Sequence, residues 1–282
     1  MQIMGIWRLF LILSFLTIIP ALYAQEIPEQ SLESSPVYVD IQEKDYKFYP
    51  GGRIGISMAA PGNLKIIGWE RGAVHTEAEI KVYSLAEEKA RALLEKSPIR
   101  IRYNDSTSTI QIAEIPELKG LLEINLTVHV PATRTDLTVQ MKKGDFIIDT
   151  VNGWVETTLA EGNIGLTDIE GYFSGKTQKG NISAKLSGNR WRGQGLSTVT
   201  QSGNIDLILP EKYSATLQLD TRSGEITVDY PSQEFEGELI PLETVVQKKT
   251  QQLRAKIGDG GAPIRLGTQS GDVSFMKAMP IQ

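Results

Sequence analysis

The sequence predicts an all-β fold: a single-stranded β-solenoid, or β-helix, with 9- and 18-residue repeats and one short helix near residues 84–97. Two observations predict it, a fixed spacing of glycines and a regular alternation of apolar and polar residues between them. The spaced glycines, each nine residues after the last, are Gly144, Gly153, Gly162, Gly171 and Gly180. Self-similarity at a fixed short period is typical of repeat architectures, because each repeat is one small structural unit.

The alternation is found in the residues that follow each glycine. The positions two and four residues later are apolar, as Ile164 and Leu166 are in one repeat and Ile182 and Ala184 in another. Alternation with a period of two indicates a strand with one buried face. Glycine supplies the positive φ of a tight corner, and the Asn or Asp that follows alternate glycines tolerates a left-handed backbone. Each nine-residue unit is therefore predicted to be a strand and a corner.

Two consecutive units are expected to form one coil of the solenoid. An antiparallel meander, in which each glycine corner is a hairpin turn, is the alternative that the same pattern allows. Two kinds of corner alternate from one unit to the next, so each kind recurs once per coil, which favours the solenoid. Five of the corner glycines also have a threonine three residues before them: Thr150, Thr177, Thr200, Thr221 and Thr268.

Residues 1–24 have the three parts of a secretory signal peptide. A short start with the single basic residue Arg8 precedes an apolar run, and small residues lead to Ala24. A membrane anchor is the alternative, but the apolar run is shorter than the roughly 20 residues that a spanning helix needs. We therefore expect cleavage after Ala24, an extracytoplasmic location (periplasmic, cell-surface or secreted) and no transmembrane segment in the mature protein.

The rest of the chain is predicted to be a disordered linker, residues 25–36, and one elongated domain, residues 37–278. Within the domain, residues 37–142 are less regular, and residues 143–230 carry the regular repeats. Residues 231–278 combine an irregular segment, which is an insertion or an extra pair of strands, with a closing repeat.

The less regular part contains the predicted helix. Ser84 and Glu87 have the spacing of a capping box, in which each side chain satisfies a free backbone amide at the start of a helix. Apolar residues with helical spacing follow, and Pro98 ends the pattern. This segment is therefore predicted to form the helix near residues 84–97.

The composition argues against several kinds of chemistry. The balance of 29 Lys and Arg against 34 Asp and Glu disfavours a nucleic-acid partner. The chain has no cysteine, so it has no disulfide framework and no cysteine metal ligand. His129, one of two histidines, lies on the outward phase of a strand and is interpreted as a surface residue. Neither a Gly-x-Ser-x-Gly elbow nor a phosphate-binding loop occurs. No catalytic residue, cofactor or metal site is predicted.

Two motifs carry a resemblance to a known family. The first is Trp191-x-Gly193 followed by Thr200-Gln201-Ser202-Gly203-Asn204-Ile205, and the second is Gly258-Asp259-Gly260-Gly261-Ala262-Pro263 followed by Ser270-Gly271-Asp272-Val273. The chain resembles the bacterial putative-adhesin family, extracytoplasmic β-solenoid proteins long catalogued as a domain of unknown function. The resemblance spans about residues 37–276. It implies a surface or envelope protein, and the family has no established catalytic residues to carry over.

The second kind of corner predicts a binding strip. Trp154 and Tyr172 occupy equivalent corners of successive coils, each directly after a spaced glycine, and Arg190 and Trp191 come next in line. Neighbouring coils lie about 4.8 Å apart, so these side chains would form an aromatic edge beside polar groups. Flat aromatic faces bind sugar rings and protein partners, which suggests a cell-surface glycan, peptidoglycan or an envelope protein. Alternatively, the rings cover the corners of their own coils.

The function predicted from these features is an exported, non-catalytic adhesion or cell-envelope interaction module that presents a repetitive β surface. The alternative is a carbohydrate-active enzyme, a polysaccharide lyase or hydrolase, which would need converging carboxylates. The carboxylates that cluster in sequence are Asp145, Asp149, Glu156, Glu161, Asp168 and Glu170. A groove with three or more convergent ionisable side chains would favour the enzyme, whereas a smooth polar face with an aromatic strip would favour binding.

Overall fold

The computed structural model describes residues 35–230 and 251–278. The predicted signal peptide, most of the predicted linker and residues 231–250 lie outside the described residues. The described residues form two ten-stranded sheets, one α-helix and a single 3-10 turn at Pro116–Leu118. The predicted all-β fold with one short helix is therefore confirmed. No helix in this part of the chain is long and apolar enough to cross a membrane.

The first eight strands and the helix α1 precede the regular repeats. In chain order they are β1 (Tyr38–Lys47), β2 (Arg53–Met58), β3 (Leu64–Trp69), β4 (Ala73–Val82), α1 (Glu87–Leu94), β5 (Ile99–Tyr103), β6 (Thr107–Ile112), β7 (Leu122–Pro131) and β8 (Asp136–Lys143). Antiparallel pairs are frequent here, because β4 pairs in this way with both β1 and β7, and β5 with β6.

The remaining strands carry the repeats. They are β9 (Phe146–Asp149), β10 (Asn152–Glu161), β11 (Ile164–Thr167), β12 (Glu170–Lys179), β13 (Ile182–Lys185), β14 (Gly193–Ser202), β15 (Ile205–Leu209), β16 (Ala215–Thr221), β17 (Ile226–Asp229), β18 (Gln251–Ile257), β19 (Pro263–Ser270) and β20 (Val273–Lys277). Sheet A has the order β1-β4-β7-β3-β9-β11-β13-β15-β20-β17, and sheet B the order β18-β16-β19-β14-β12-β10-β8-β2-β6-β5.

The sheet order identifies a solenoid and not a meander. Successive strands from β9 to β15 alternate between the two sheets, so each coil contributes one strand to each sheet. Among these strands, neighbours within a sheet are parallel, and Ile164 of β11 lies opposite Ile182 of β13 in the predicted register. Both side chains are buried, stacked in the single core between the sheets.

The closing repeat does not lie at the end of the stack. β19 and β20 pair with β14 and β15 on one side and with β16 and β17 on the other. In chain order, the coil of β16 and β17 therefore comes before the closing repeat. The closing repeat lies between that coil and the coil of β14 and β15. β18, within the segment predicted as an insertion or extra strands, pairs antiparallel with β16 and forms one edge of sheet B.

The helix α1 begins later than predicted. Its N-cap is Ala86, and no side chain caps it, so the predicted capping box of Ser84 and Glu87 is wrong. Ser84 has a φ of +51° in the turn after β4, and this left-handed conformation places it outside the helix. Ala90 and Leu94 are buried, so the helix is held by packing of its apolar face.

One corner of the coil, here called the glycine corner, is formed by stacked glycines and the polar residues that follow them. Gly162 and Gly180 have φ values of +144° and +148°, as their predicted role requires. A Cβ atom on Gly180 would lie 1.9 Å from the carbonyl oxygen of Gly162 in the neighbouring coil. Glycine is therefore needed both for the backbone conformation and for the close approach of two coils.

Side-chain hydrogen bonds run along the glycine corner from coil to coil. The Oδ1 atom of each Asn or Asp accepts from the backbone N–H at the equivalent position of the next coil, at 2.8–2.9 Å. The acceptors, in order, are Asn125, Asn63, Asp145, Asn163, Asn181, Asn204 and Asp272. Buried threonines before the corner add a second set, because Thr177 and Thr200 donate to Gly162 and Gly180 carbonyls at 3.0 and 2.9 Å. Thr221 and Thr268 form the same bond, whereas Thr150 bonds Asp149 instead. The contacts therefore explain the Asn and Asp pattern and four of the five threonines.

Candidate binding surface

Trp154 and Tyr172 lie side by side on the outer face of sheet B. They are directly opposite in the parallel pair of β10 and β12, one position after the stacked glycines Gly153 and Gly171. Strand alternation turns the following residues, Val155 and Phe173, into the core, so the two rings point outward. Their centroids are 4.0 Å apart and their planes are tilted by 30°. Trp154 is 41% exposed. We call this pair the aromatic platform.

Polar groups fix the orientation of the platform. The indole Nε1 of Trp154 donates to Glu156 Oε1 at 2.8 Å, and its backbone N–H donates to Asp136 Oδ1 at 3.1 Å. Arg53 is opposite Asp136 on the next strand, and Ser174 is opposite Glu156. Two carboxylates and a hydroxyl therefore lie beside the two rings, and Arg53 lies one strand further out. This is the composition of a surface that can contact a ligand by stacking and hydrogen bonding.

The side of the platform towards β14 is formed by a glycine. Gly195 is the residue opposite Tyr172, and its ideal Cβ would lie 2.6 Å from the backbone oxygen of Pro263. Gly195 is buried, whereas Gln194, directly before it, is exposed at the bulge of this strand pair. Val199, 42% exposed, lies on the same face.

Trp191 does not belong to the strip, and the prediction that placed it there is wrong. It is 4% exposed, and its Nε1 donates to the Gly171 carbonyl at 3.0 Å. The cause is a change of coil length. Gly153 pairs with Gly171, but Gly171 pairs with Gly193, so the second of these two coils is longer than the first. The extra residues fold Trp191 inward, where its ring closes the corner of its own coil.

Arg190 lies at the same longer corner. It forms an isolated bridge with Ser214, and its guanidinium lies 4.0 Å from the carboxylate of Asp259. The structure therefore brings together two of the four predicted strip residues, Trp154 and Tyr172. Arg190 instead lies beside Ser214 and Asp259. Ligand binding by the platform stays a prediction.

The carboxylates considered for an enzyme have separate structural contacts. Asp145 accepts hydrogen bonds in the glycine corner, and Glu156 holds the Trp154 indole. Glu170 forms an ion pair of 2.7 Å with Arg192 and accepts from Asn152 at 3.1 Å. Among the described residues, no group of three or more His, Asp or Glu side chains is arranged to hold a metal ion.

One cleft meets the criterion of three ionisable side chains. Asp168, Glu170, Arg190 and Tyr213 line it, and burial raises the pKa of the Tyr213 hydroxyl. Its volume is about 20 Å³. A space of this size accommodates a single water and not a sugar ring. The cleft therefore lacks room for the substrate that the enzyme hypothesis requires.

Several solved structures align with this chain at low identity and low TM-score. A putative cell adhesion protein from Clostridium sporogenes is 11% identical with a TM-score of 0.43, over 85% of this chain and 100% of that one. A putative lipid binding protein from Parabacteroides distasonis is 12% identical with a TM-score of 0.33, over 85% and 97%. A putative adhesin from Bacteroides fragilis is 10% identical with a TM-score of 0.26, over 84% and 97%.

No curated protein is detectably similar in sequence. The family match is direct, because residues 128–275 fit the family described as Toastrack DUF4097. This segment contains the aromatic platform and most of the regular coils. The resemblance to a putative-adhesin domain of unknown function is thus confirmed, and the chain belongs to the Toastrack DUF4097 family.

Proposed function

We propose that this protein is an exported, non-catalytic adhesion or cell-envelope interaction module that binds a glycan through the aromatic platform of Trp154 and Tyr172. The observation that carries the proposal is the ring pair on the outer face of sheet B, an exposed Trp154 beside a half-buried Tyr172, with centroids 4.0 Å apart. Adjacent coils supply one ring each, so the pair is a product of the repeat and has a fixed spacing.

The border of the platform supports a sugar ligand. Each ring has one face covered by the other ring, and the remaining face can contact the apolar face of a sugar ring. Carboxylates and hydroxyls accept hydrogen bonds from sugar hydroxyls, and hydroxyls can also donate to them. Glu156, Asp136 and Ser174 lie beside the two rings and can form such hydrogen bonds. Cell-surface glycan and peptidoglycan are the ligand classes that fit the predicted extracytoplasmic location. An envelope protein is the other partner class.

A binding screen tests the proposal. The purified protein is titrated with a panel of bacterial glycans and with peptidoglycan, and the strongest ligand is then measured against Trp154→Ala and Tyr172→Ala. Loss of a stacking ring should weaken binding by about 1–2 kcal/mol, roughly 5- to 30-fold. The free energy of unfolding, measured by thermal denaturation, should change by less than about 1 kcal/mol, as is usual for surface positions.

Tyr49→Ala is the matched control, because Tyr49 is 60% exposed and lies outside the repeats. It should leave the affinity unchanged. If both platform variants instead lower the melting temperature and leave binding intact, the rings serve only to cover their own coils and the proposal fails. Release of new reducing ends from a bound polysaccharide would support the carbohydrate-active enzyme in its place.

The export step has its own test. Expression with the complete N-terminus in a bacterial host, followed by cell fractionation and N-terminal sequencing, should give an extracytoplasmic protein that begins at Gln25. A protein that stays in the cytoplasm with residues 1–24 intact would contradict the export proposal and leave the binding result unaffected.

A further inference from the structure

The two histidines of the chain face each other across neighbouring strands. His75 on β4 is directly opposite His129 on β7 in an antiparallel pair, and the chain contains 2 His in all. Both rings lie on the outer face of sheet A, half-buried, with centroids 5.7 Å apart. Residues directly opposite in such a pair have Cβ atoms only about 5 Å apart, so their side chains can bind the same group.

Asp45 orients one of the two rings. It is opposite His75 on β1, and its Oδ1 atom lies 2.9 Å from His75 Nδ1. A carboxylate at this distance accepts the Nδ1–H and leaves Nε2 as the atom with a free lone pair. Metal-binding histidines usually have this arrangement, because a second partner fixes the tautomer and makes the imidazole more basic.

The ring of His129 packs against its neighbours on the outer face of sheet A. Its Nδ1 atom is buried without a hydrogen-bond partner among the described residues. The Trp69 ring packs against it with centroids 5.1 Å apart. Because Nδ1 is enclosed, Nε2 is the ring nitrogen of His129 that an ion from solvent could reach.

We propose that His75 and His129 form a two-imidazole site for a first-row transition metal ion, with Cu²⁺ bound most tightly. Imidazole nitrogen is a good ligand for copper, nickel and zinc, and divalent copper has the highest affinity in this series. An ion about 2 Å from each nitrogen would place the ring centroids about 5 Å apart. The observed 5.7 Å is close to this spacing. Water would fill the remaining coordination positions, since no third ligand is arranged nearby among the described residues.

Charged neighbours set the expected strength. Glu77 favours a cation beside His129, whereas Lys65 and Arg71 oppose it. The Arg71 guanidinium lies 4.8 Å from the centroid of the Trp69 ring, so part of its charge is engaged by the indole. Acidic and basic side chains therefore oppose each other around the site.

The test uses the complete protein purified without a histidine tag. Cu²⁺ is titrated in a calorimeter, and electron paramagnetic resonance of the one-to-one complex should show coupling to two imidazole nitrogens. His75→Gln and His129→Gln should each weaken binding at least tenfold. Because both positions are half-exposed, the variants should fold, and circular dichroism confirms this. Binding that is equal in the wild type and in both variants, or a spectrum without imidazole nitrogen, overturns the proposal.

A third variant tests the orienting carboxylate. Asp45→Asn should weaken Cu²⁺ binding by about 10- to 100-fold, the usual effect of removing such a partner. Asp40→Asn is the matched control, because Asp40 is on the same strand and pairs with Ile80, away from the histidines. Equal affinities in the two Asn variants would show that Asp45 does not act through His75. The site is independent of the aromatic platform, so glycan binding and Cu²⁺ binding can fail separately.

Discussion

Stacked glycines of adjacent coils are found at both the glycine corner and the aromatic platform, but the residues that follow these glycines differ. At both places glycines of adjacent coils stack so closely that a Cβ would collide with a backbone oxygen, at 1.9 Å for Gly162 and 2.3 Å for Gly171. At the glycine corner the next residue, such as Asn163, uses its side chain to bind the neighbouring coil. At the platform the next residue is Trp154 or Tyr172, whose ring points outward. Close backbone stacking thus holds both corners, and the following residue decides whether the corner is structural or available to a ligand.

The largest expected effect comes from breaking the glycine stack. Gly180→Val should lower the free energy of unfolding by more than about 2 kcal/mol, because a β-branched residue is strained at this positive φ and its Cβ would collide with Gly162 O. Urea unfolding followed by circular dichroism measures the change. Gly55→Ala is the control, since no atom lies within 4 Å of its ideal Cβ. Similar losses in the two variants would show that the corner does not depend on close stacking.

A smaller effect is expected from the side-chain ladder of the same corner. Asn163→Ala removes the acceptor for the Asn181 N–H and the donor to Asp145, bonds of 2.8 and 3.0 Å. Because the ladder is exposed, water replaces part of what is lost, and we expect a decrease of about 1 kcal/mol in unfolding free energy. Ser183→Ala, on the neighbouring strand, should change it by less than about 0.5 kcal/mol. If Asn163→Ala is equally neutral, backbone stacking alone maintains the corner.

The sequence predicts those parts of the fold that are fixed by local periodicity. The positive φ of Gly180 and the pairing of Ile164 with Ile182 follow from the repeat, because each residue has the same surroundings in every coil. Trp191 was misplaced because the extra residues in its coil change the direction of its side chain, and no local signal marks how such an insertion folds.

The histidine pair lies beyond sequence analysis for a different reason. His75 and His129 are far apart in the chain, and they meet only because β4 and β7 pair antiparallel in one particular register. A shift of one residue would place one of the two rings in the core. His129 was correctly assigned to the outward phase of its strand, but its partner depends on long-range pairing that the regular repeats do not determine.

The last contrast lies within one strand. Thr198 and Thr200 of β14 are both buried, at 1% and 0% exposure. Thr200 reaches the glycine corner and donates to Gly180 O at 2.9 Å, whereas the Thr198 hydroxyl has no partner among the described residues. The two positions therefore compare a hydroxyl that belongs to the corner with one that lies only in the core.

Valine has nearly the shape of threonine, so each Thr→Val change tests the hydroxyl alone. Thr200→Val should lower the free energy of unfolding by about 1 kcal/mol, because the Gly180 carbonyl loses its donor. Thr198→Val should raise it by about 1 kcal/mol, because a buried polar group without a partner is replaced by a methyl. Urea unfolding of both variants, with equal m-values, gives the two changes directly. A loss of stability at Thr198 would mean that its hydroxyl has a partner such as a buried water. Equal losses at both positions would remove the distinction between the corner and the core.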